Sequence, residues 1–404
     1  MQSLSEAEAV QKWLANFGDA DQPAALDLIN EVMLVSRDDF ADGLKSLLDS
    51  ISGTPNCGIN IALYAERPIK KVFGRIPSFF PQSRRGRAEG NGIPPIVVDP
   101  RDQEVGSEGV VANLITDYSR QKGPNYISHP GPDKLRKEKV RVIAIVTDFI
   151  GSGKRVLDML ESLGHVATLN SWNSYHLIRF VVLAYSGAAD GLKAVRSHKL
   201  QPEVLIVMGC PTIQNTFKGK RRTEVERVCK KYPKRNKNPL GFMQSGALIA
   251  FSHGCPNNSP PILHSKAAGW KPLFHGRSTS ELPAELFQLK DFEQRAKNLL
   301  GIREARETLS SHKNSEWLSV LKVLSAAESG LRFTDDISAK TRIEVNSVNE
   351  ILSLTIQALW LDSQNRLTQL GERELARFRK RRKKTPLLAG DEGKYYYPTQ
   401  LRTS

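Results

Sequence analysis

The sequence is poor in the features that mark secreted, membrane-bound and zinc-stabilised proteins. It has only 4 cysteines among 404 residues, without a Cys-x-x-Cys pair, which argues against a disulfide framework and a structural zinc site. No stretch approaches the ~18 consecutive apolar residues of a transmembrane helix. The opening residues MQSLSEAEAV lack both a basic start and an apolar core, so we expect no signal peptide. These absences predict a cytoplasmic protein without membrane contact.

Acidic residues are also scarce in two short segments. Residues 218–237 contain ten Lys or Arg against two Glu, and seven of the eight residues 377–384 are basic. Together these segments account for the net charge of +15. Such concentrated charge is typical of surfaces that bind nucleic acid, although solvated surface faces are the alternative. The C-terminal candidates for nucleic-acid contact are Arg377, Arg379, Lys380, Arg381, Arg382, Lys383 and Lys384.

The most informative segment present is the junction at 140–155, VRVIAIVTDFIGSGKR. Its nearly continuous β-branched run predicts a parallel strand covered on both faces, and the apolar residues after 155 recur at helical spacing. In open α/β sheets, ligands bind at the carboxyl ends of strands, where helix starts offer unpaired amides. A phosphate site is therefore predicted here, with a plain strand-to-helix turn as the alternative. Its residues are Gly151, Ser152 and Gly153.

Spacing separates two phosphate motifs at this junction. A P-loop is excluded, since Asp148 stands where its first Gly is required and Arg155 where its Mg²⁺-binding hydroxyl is required. The segment instead resembles the signature of type I phosphoribosyltransferases, which has a hydrophobic strand, two adjacent acids, three residues and Thr-Gly. Thr147 and Asp148 occupy the acidic pair, and Ser152-Gly153 occupy the Thr-Gly.

The resemblance implies that the pocket binds phosphoribosyl pyrophosphate or a related nucleotide, with Mg²⁺ arriving on the substrate. It implies that the loop from Gly151 to Arg155, including Lys154, would wrap the 5′-phosphate. It also implies catalytic positions at Asp148, which would hold the ribose hydroxyls, and Thr147. Because Thr147 brings no charge, the departure leaves two interpretations open, a pocket that reacts and a pocket that only senses its ligand.

Further candidates for the pyrophosphate and substrate lie outside this loop. Ser107 and Glu108 begin a predicted helix whose N-terminus offers a second anion site, although Glu108 equally fits a favourable first-turn acid. Arg84 and Arg85 lie in a Pro- and Gly-rich basic loop that suits a lid over a pyrophosphate. A polar loop adds Asn257, Asn258 and Arg277. We predict no metal-binding cluster, because the spacing of His253, Cys255, His264 and His275 does not match ligand patterns.

The alternation of elements predicts an α/β domain between helical ends. The predicted strands are 61–65, 94–98, 140–146, 178–185, 203–209 and 247–253, and the predicted helices among them are 109–120, 154–163, 187–197 and 221–232. This order favours a mostly parallel sheet covered by helices. The predicted divisions are an N-terminal helical cap at 1–58, a type I phosphoribosyltransferase-like α/β domain at 59–280, a helical linker at 281–312, a winged-helix domain at 313–384 and a tail at 385–404.

The C-terminal region has the element order of a winged helix. A helix with apolar residues at 317–324 precedes helices that we expect Thr334 and Asn346 to cap, and the turn 362–365 separates two short strands before a last helix. The exposed positions of the third helix include no basic residue, which disfavours sequence-specific reading of duplex DNA. The hairpin around the turn 362–365 would be the wing of such a domain. The basic residues 377–384, which follow it, fit sequence-independent contact with a nucleic-acid backbone. Protein docking or dimerisation, including a homo-oligomer, is the alternative.

Several separated segments together resemble one narrower family. WLANF, GSEGVVANLIT, TDFIGSGKR, CPNNSPPILH and WKPLFHGR are similar to the phosphoribosyltransferase-like effector family of bacterial conflict and anti-phage systems, over roughly residues 8–280. The resemblance implies an effector, or toxin, that acts by ribosyl transfer or ribosyl-bond cleavage. In retron-associated members it implies partnership with a reverse transcriptase and its multicopy single-stranded DNA.

A second resemblance leads to a different class of function. A winged helix joined to an inactive phosphoribosyltransferase fold resembles the purine repressor of Gram-positive bacteria, which senses phosphoribosyl pyrophosphate without chemistry. Thr147 favours this interpretation. The module order opposes it, because that repressor has its winged helix first and this chain has it last.

Overall fold

A computed structural model of the chain describes residues 7–51, 58–80, 87–92, 94, 107–233, 237–280, 282, 286–287 and 312–379, excluding the side chains of 312–315 and 378–379. Within these ranges an α/β domain with parallel sheets precedes a small helical domain. The predicted fold class is confirmed. No helix in the described ranges is long and apolar enough to cross a membrane.

The N-terminal region contributes helices α1 (Glu8–Leu14), α2 (Gln22–Asn30) and α3 (Arg37–Ser50), with a short strand β1 (Met33–Val35) between the last two. Strand β1 pairs in parallel with β7 (Ile249–Phe251). The region is therefore not entirely helical as predicted. A three-residue strand is too short to show an alternating pattern in the sequence. Through this pairing the N-terminal region helps to position the segment after β7.

The central sheet has five parallel strands in the order β3-β2-β4-β5-β6. Alternate residues of β4 enter opposite cores: Ile143 and Ile145 lie in one, and Ala144 and Val146 lie in the other. Burial on both faces explains why β4 and β5 read as continuous apolar runs. The strands are β2 (Ile61–Ala65), β3 (Tyr126–Ser128), β4 (Val142–Ile150), β5 (Arg179–Gly187) and β6 (Glu203–Gly209).

Helices cover both faces of this sheet. They are α4 (Ser107–Lys122), α5 (Pro132–Lys137), α6 (Lys154–Gly164), α7 (Ala167–Ser174), α8 (Ala189–Arg196), α9 (Ile213–Thr216) and α10 (Gly219–Lys231). A short 3₁₀ turn precedes β7 at Phe242–Gln244, and two more follow it at Pro261–Leu263 and His275–Arg277.

Two strand predictions need correction. The predicted strand 247–253 forms β7, which belongs to the two-stranded sheet with β1 rather than to the main sheet. The edge strand β3 was missed, because three residues give no periodicity to detect. The predicted strand 94–98 falls almost entirely outside the described residues.

The C-terminal domain has helices α11 (His312–Glu328), α12 (Thr334–Thr341), α13 (Val345–Gln357) and α14 (Gln369–Arg379), with its own apolar core. A bridge between Leu361 and Leu367 forms the short hairpin before α14, as the winged-helix prediction requires. The predicted caps are wrong, since Phe333 and Glu344 occupy the N-cap positions and neither makes a side-chain cap.

Helix α12 packs against the carboxyl end of β6. The Gly209 amide donates to the Ser338 hydroxyl at 3.0 Å, and Arg196 forms an ion pair with Asp335 at 2.7 Å. A Cβ atom at Gly209 would collide with the carbonyl of Asp335. The backbone of α12 therefore lies directly against the backbone at the carboxyl end of β6. Ligand sites of parallel sheets form at this same edge.

Candidate functional site

The carboxyl ends of β2 and β4 bring together the side chains of Glu66, Thr147 and Asp148. Ala65 and Val146 are paired in register, and the Glu66 amide continues the ladder by donating to the Val146 carbonyl at 2.8 Å. Glu66 therefore lies beside Thr147, whose hydroxyl donates to the Glu66 Oε2 atom at 3.4 Å. Sequence reasoning missed Glu66. The available signal was an acid directly after a fully buried strand.

Arg155, at the start of α6, holds two carboxylates. Its Nε lies 2.8 Å from the Glu66 Oε1 atom, and its Nη2 lies 2.7 Å from the Glu108 Oε1 atom. Glu108 is in the first turn of α4, so Arg155 joins the start of α4, the end of β2 and the start of α6. Arg155 was predicted to contact phosphate, and the structure places it between carboxylates instead.

Glu66 is the most buried carboxylate of this group, at 6% exposed. Burial, together with the nearby charges of Asp148 and Glu108, raises its pKa to about 7, although Arg155 acts in the opposite direction. A carboxyl group with a pKa near 7 exchanges protons readily at neutral pH. The structure therefore places a buried carboxyl group next to Thr147, the position where the motif lacks an acid.

Asp148 has a different environment at the same strand end. Burial acts to raise its pKa, but hydrogen bonds and charge from His253, a hydrogen bond from Ser107 and the charge of Arg155 leave the pKa below its usual value. The His253 Nε2 and Asp148 Oδ2 atoms are 3.3 Å apart, and the Phe149 amide donates to Asp148 Oδ1 at 2.8 Å. Asp148 is consequently a fixed, ionised carboxylate.

The two-stranded sheet explains how His253 reaches Asp148. His253 lies two residues after the end of β7, and its ring stacks on Phe251 at 5.0 Å and contacts Phe40 of α3 at 4.9 Å. The sequence interpretation considered His253 only as a metal ligand. Its role as partner of Asp148 depends on the β1–β7 pairing, which the sequence did not indicate.

The loop after β4 is closely packed from two sides. A Cβ atom at Gly151 would collide with the side chain of Asn258, and one at Gly191 of α8 would collide with the Gly151 carbonyl. Gly153 adopts a left-handed φ of +76° as the N-cap of α6, a conformation that favours glycine. The loop therefore has the tight turn and the helix N-terminus that suit an anion.

This architecture agrees with the comparison to known proteins. The PRTase-CE family model matches residues 10–275. The chain belongs to the PRTase-CE family. A second model, described as wHTH-PRTase associated, matches residues 321–403. No curated protein and no solved structure matched the chain.

The predicted resemblance is thereby confirmed as a phosphoribosyltransferase-like domain followed by a winged helix. The anti-phage role and the retron association stay predictions. The domain divisions predicted from sequence likewise stay predictions.

The remaining loop residues of the PRTase-CE domain have local partners. The Ser152 hydroxyl accepts from the Lys154 amide at 3.4 Å, and the Lys154 ammonium pairs with Asp158 at 3.0 Å. Ser152 thus lies at the helix start as predicted, whereas Lys154 is held along α6. A ligand phosphate would have to compete with Asp158 for Lys154.

The other predicted substrate residues divide into two groups. Asn258 is buried against Gly151, with its amide donating to the Ser245 hydroxyl at 3.1 Å, whereas Asn257 is exposed and its carbonyl accepts from the Phe242 amide. Arg277 is exposed, and its carbonyl accepts from the Cys255 amide at 2.8 Å. Its described contacts do not include the loop after β4. Arg84 and Arg85 lie outside the described residues.

The described residues contain no cluster of three His, Cys, Asp or Glu side chains that could hold a metal ion. Asp148 nevertheless offers the carboxylate oxygen that Mg²⁺ prefers, and Mg²⁺ commonly binds through one or two carboxylates plus substrate phosphates. The site therefore fits a cation that arrives with the substrate.

The basic segment at 218–237 is extensively paired within the fold. Arg227 and Lys231 both contact the buried Asp21, at 2.8 and 2.6 Å, and Arg221 contacts Asp27 at 2.6 Å. These ion pairs join α10 to the N-terminal helices, so part of the charge has a structural role. Of the C-terminal candidates, Arg377 is exposed and pairs with Glu374 at 2.8 Å. The side chain of Arg379 and residues 380–384 lie outside the described part.

Proposed function

We propose that the PRTase-CE domain binds a phosphoribosyl compound at the carboxyl end of β4 and acts on it by ribosyl transfer or ribosyl-bond cleavage, as an effector in bacterial anti-phage defence. The observation that carries this proposal is the position of Glu66 and Asp148 at the neighbouring carboxyl ends of β2 and β4, where Arg155 lies 2.8 Å from Glu66 and His253 lies 3.3 Å from Asp148. Asp148 has a lowered pKa and Glu66 a pKa raised to about 7. Environments that separate two pKa values in this way are typical of acid–base sites.

The proposed roles follow from position. The amides of 151–153 and the start of α6 receive the 5′-phosphate, and Asp148 accepts hydrogen bonds from the ribose hydroxyls. Asp148 would hold Mg²⁺ together with the substrate phosphates, and the ion would supply charge neutralisation for a pyrophosphate leaving group. Thr147 then serves to orient Glu66 rather than to replace an acid.

The proposed chemistry balances at C1′ of the ribose. The bond to the leaving group breaks with its electron pair, positive charge develops on the sugar, and a lone pair of the acceptor or water forms the new bond. The proton lost by the acceptor passes to ionised Glu66. The carboxylates of Asp148 and Glu108 stabilise the positive charge, which is electrostatic preorganisation rather than covalent catalysis.

The test is mass spectrometry of nucleotides and nucleic acids from cells in which the defence response has been triggered. The cells express the wild-type chain, Asp148→Asn or Asp117→Asn. Asp117 is exposed on α4 and serves as the matched control. We expect a ribosylated or cleaved product with the wild type and the control, and none with Asp148→Asn. Equal product from Asp148→Asn would refute the enzymatic proposal.

A second candidate is a ligand-sensing regulator without chemistry. The docking of α12 on the end of β6 favours it, since Gly209 and Ser338 connect the winged helix to the edge where the ligand would bind. Duplex DNA binding measured with and without phosphoribosyl pyrophosphate separates the two. A ligand-dependent change in affinity without product formation supports the regulator.

A further inference from the structure

The segment after Glu66 exposes an aromatic ring completely. Phe73 is 101% exposed and the neighbouring Val72 is 54% exposed. Residues 70–75, which we name the Phe73 hairpin, all lie at the surface. A ring in this position contributes no burial to the fold.

The hairpin is nevertheless an ordered turn. The Val72 amide donates to the Arg75 carbonyl at 2.9 Å, and the Arg75 amide donates back to the Val72 carbonyl at 3.0 Å. Phe73 and Gly74 have positive φ angles of +49° and +75°, the geometry of a type I′ turn. Asn or Asp is the usual residue before such a glycine. A bulky residue with positive φ is strained, so Phe73 occupies a site that backbone preference does not explain.

Both ends of the hairpin are anchored to the domain. Ile69 packs against the core on the α6 face of the sheet. On the other side, the Ser162 hydroxyl donates to the Pro77 carbonyl at 2.8 Å, and the Phe79 amide donates to the Ser162 carbonyl at 2.9 Å. The ring is therefore presented from fixed supports, which lowers the entropy cost of binding.

The segment that carries the ring is basic in sequence. Residues 67–87 contain seven Lys or Arg and no acid. Lys71 and Arg75 immediately flank the turn and are exposed. The surface thus combines a planar apolar ring with cations at short chain distance.

We propose that the Phe73 hairpin binds single-stranded nucleic acid, with the Phe73 ring stacked on an unpaired base and Lys71 and Arg75 on the adjacent phosphates. Stacking on an aromatic ring is tolerant of sequence and requires a base free of its partner. Duplex DNA offers the same phosphates without a free base face, so the ring specifies single strands. This surface is independent of the proposed sugar-phosphate chemistry.

The test uses the full chain and fluorescence anisotropy with a labelled mixed-sequence DNA single strand and its duplex. Phe73→Ala should weaken single-strand binding by at least about fivefold, and Phe73→Trp should preserve it. Tyr175→Ala is the matched control, since Tyr175 is also a highly exposed ring, at 76%. Lys71→Ala should lower the slope of log affinity against log salt by about 0.7.

Duplex affinity should be the same for Phe73→Ala and the wild type, because the duplex offers no base for stacking. The proposal is overturned if Phe73→Ala and wild type bind the single strand equally, or if the loss is the same for the duplex. It is also overturned if the wild type binds anionic phosphatidylserine vesicles through Phe73 but no single strand.

Discussion

Replacing Glu66 by Gln should change how the stability of the chain depends on pH. Burial raises the pKa of Glu66 from 4.5 to about 7. The folded chain therefore retains a proton that the unfolded chain releases. Its contribution to stability is complete below pH 4.5 and is lost as the pH rises through about 7. Glutamine cannot ionise and shows no such loss.

The magnitude follows from the size of this shift. One pKa unit corresponds to about 1.4 kcal/mol, so ionising Glu66 in the folded state costs about 3 kcal/mol between pH 4.5 and pH 8.5. Titrating groups that do not interact with Glu66 are common to both proteins and cancel in the difference. The free energy of unfolding of Glu66→Gln should rise by about 3 kcal/mol relative to wild type over this interval.

Urea unfolding at several pH values, followed by circular dichroism, measures this difference. Glu161→Gln is a control whose own titration lies below this pH interval. A hydrogen bond from Lys199 lowers the pKa of Glu161, so its contribution is present above pH 4.5 and is lost as the pH falls through the lowered value. A difference between Glu66→Gln and wild type that stays constant from pH 4.5 to 8.5 would refute the assignment of Glu66 as a proton carrier.

Three further predictions concern packing and docking. Gly151→Ala should displace Asn258 and weaken the binding of phosphoribosyl pyrophosphate, measured by calorimetry, by about tenfold or more. An unchanged affinity would contradict the close packing of this loop. Gly209→Ala should separate α12 from β6, which hydrogen exchange detects as faster exchange in α12 with α11 unaffected. Asp21→Asn should lower the free energy of unfolding by about 2 kcal/mol, because Arg227 and Lys231 lose their shared partner, and urea unfolding tests it.

The sequence was sufficient to predict the central architecture because long periodic segments carried it. Strand β4 and helix α6 contain nine and eleven residues, long enough to show their burial patterns in the sequence. Because the strands are parallel, their carboxyl ends were expected to lie at the same edge of the sheet. The order of the winged helix was also readable. Its caps were not, because Thr334 and Asn346 lie one or two residues inside their helices.

The site was only partly predictable, for a physical reason. Asp148, Thr147 and the loop share one continuous motif, whereas Glu66 and His253 arrive from distant strands. His253 depends on the pairing of two three-residue strands, which no local pattern reports. In the sequence, Thr147 is a position where the motif lacks an acid. Its contact with Glu66 can be seen only once the register between β2 and β4 is known.

The most direct test of the central claim is calorimetric titration of the full chain with phosphoribosyl pyrophosphate in the presence of Mg²⁺. The account predicts saturable binding by the wild type and by Asp117→Asn. It predicts affinity lower by about tenfold or more for Asp148→Asn, because a charged hydrogen bond to the ribose is lost. No binding by the wild type, or equal binding by Asp148→Asn, would contradict a sugar-phosphate site at the carboxyl end of β4.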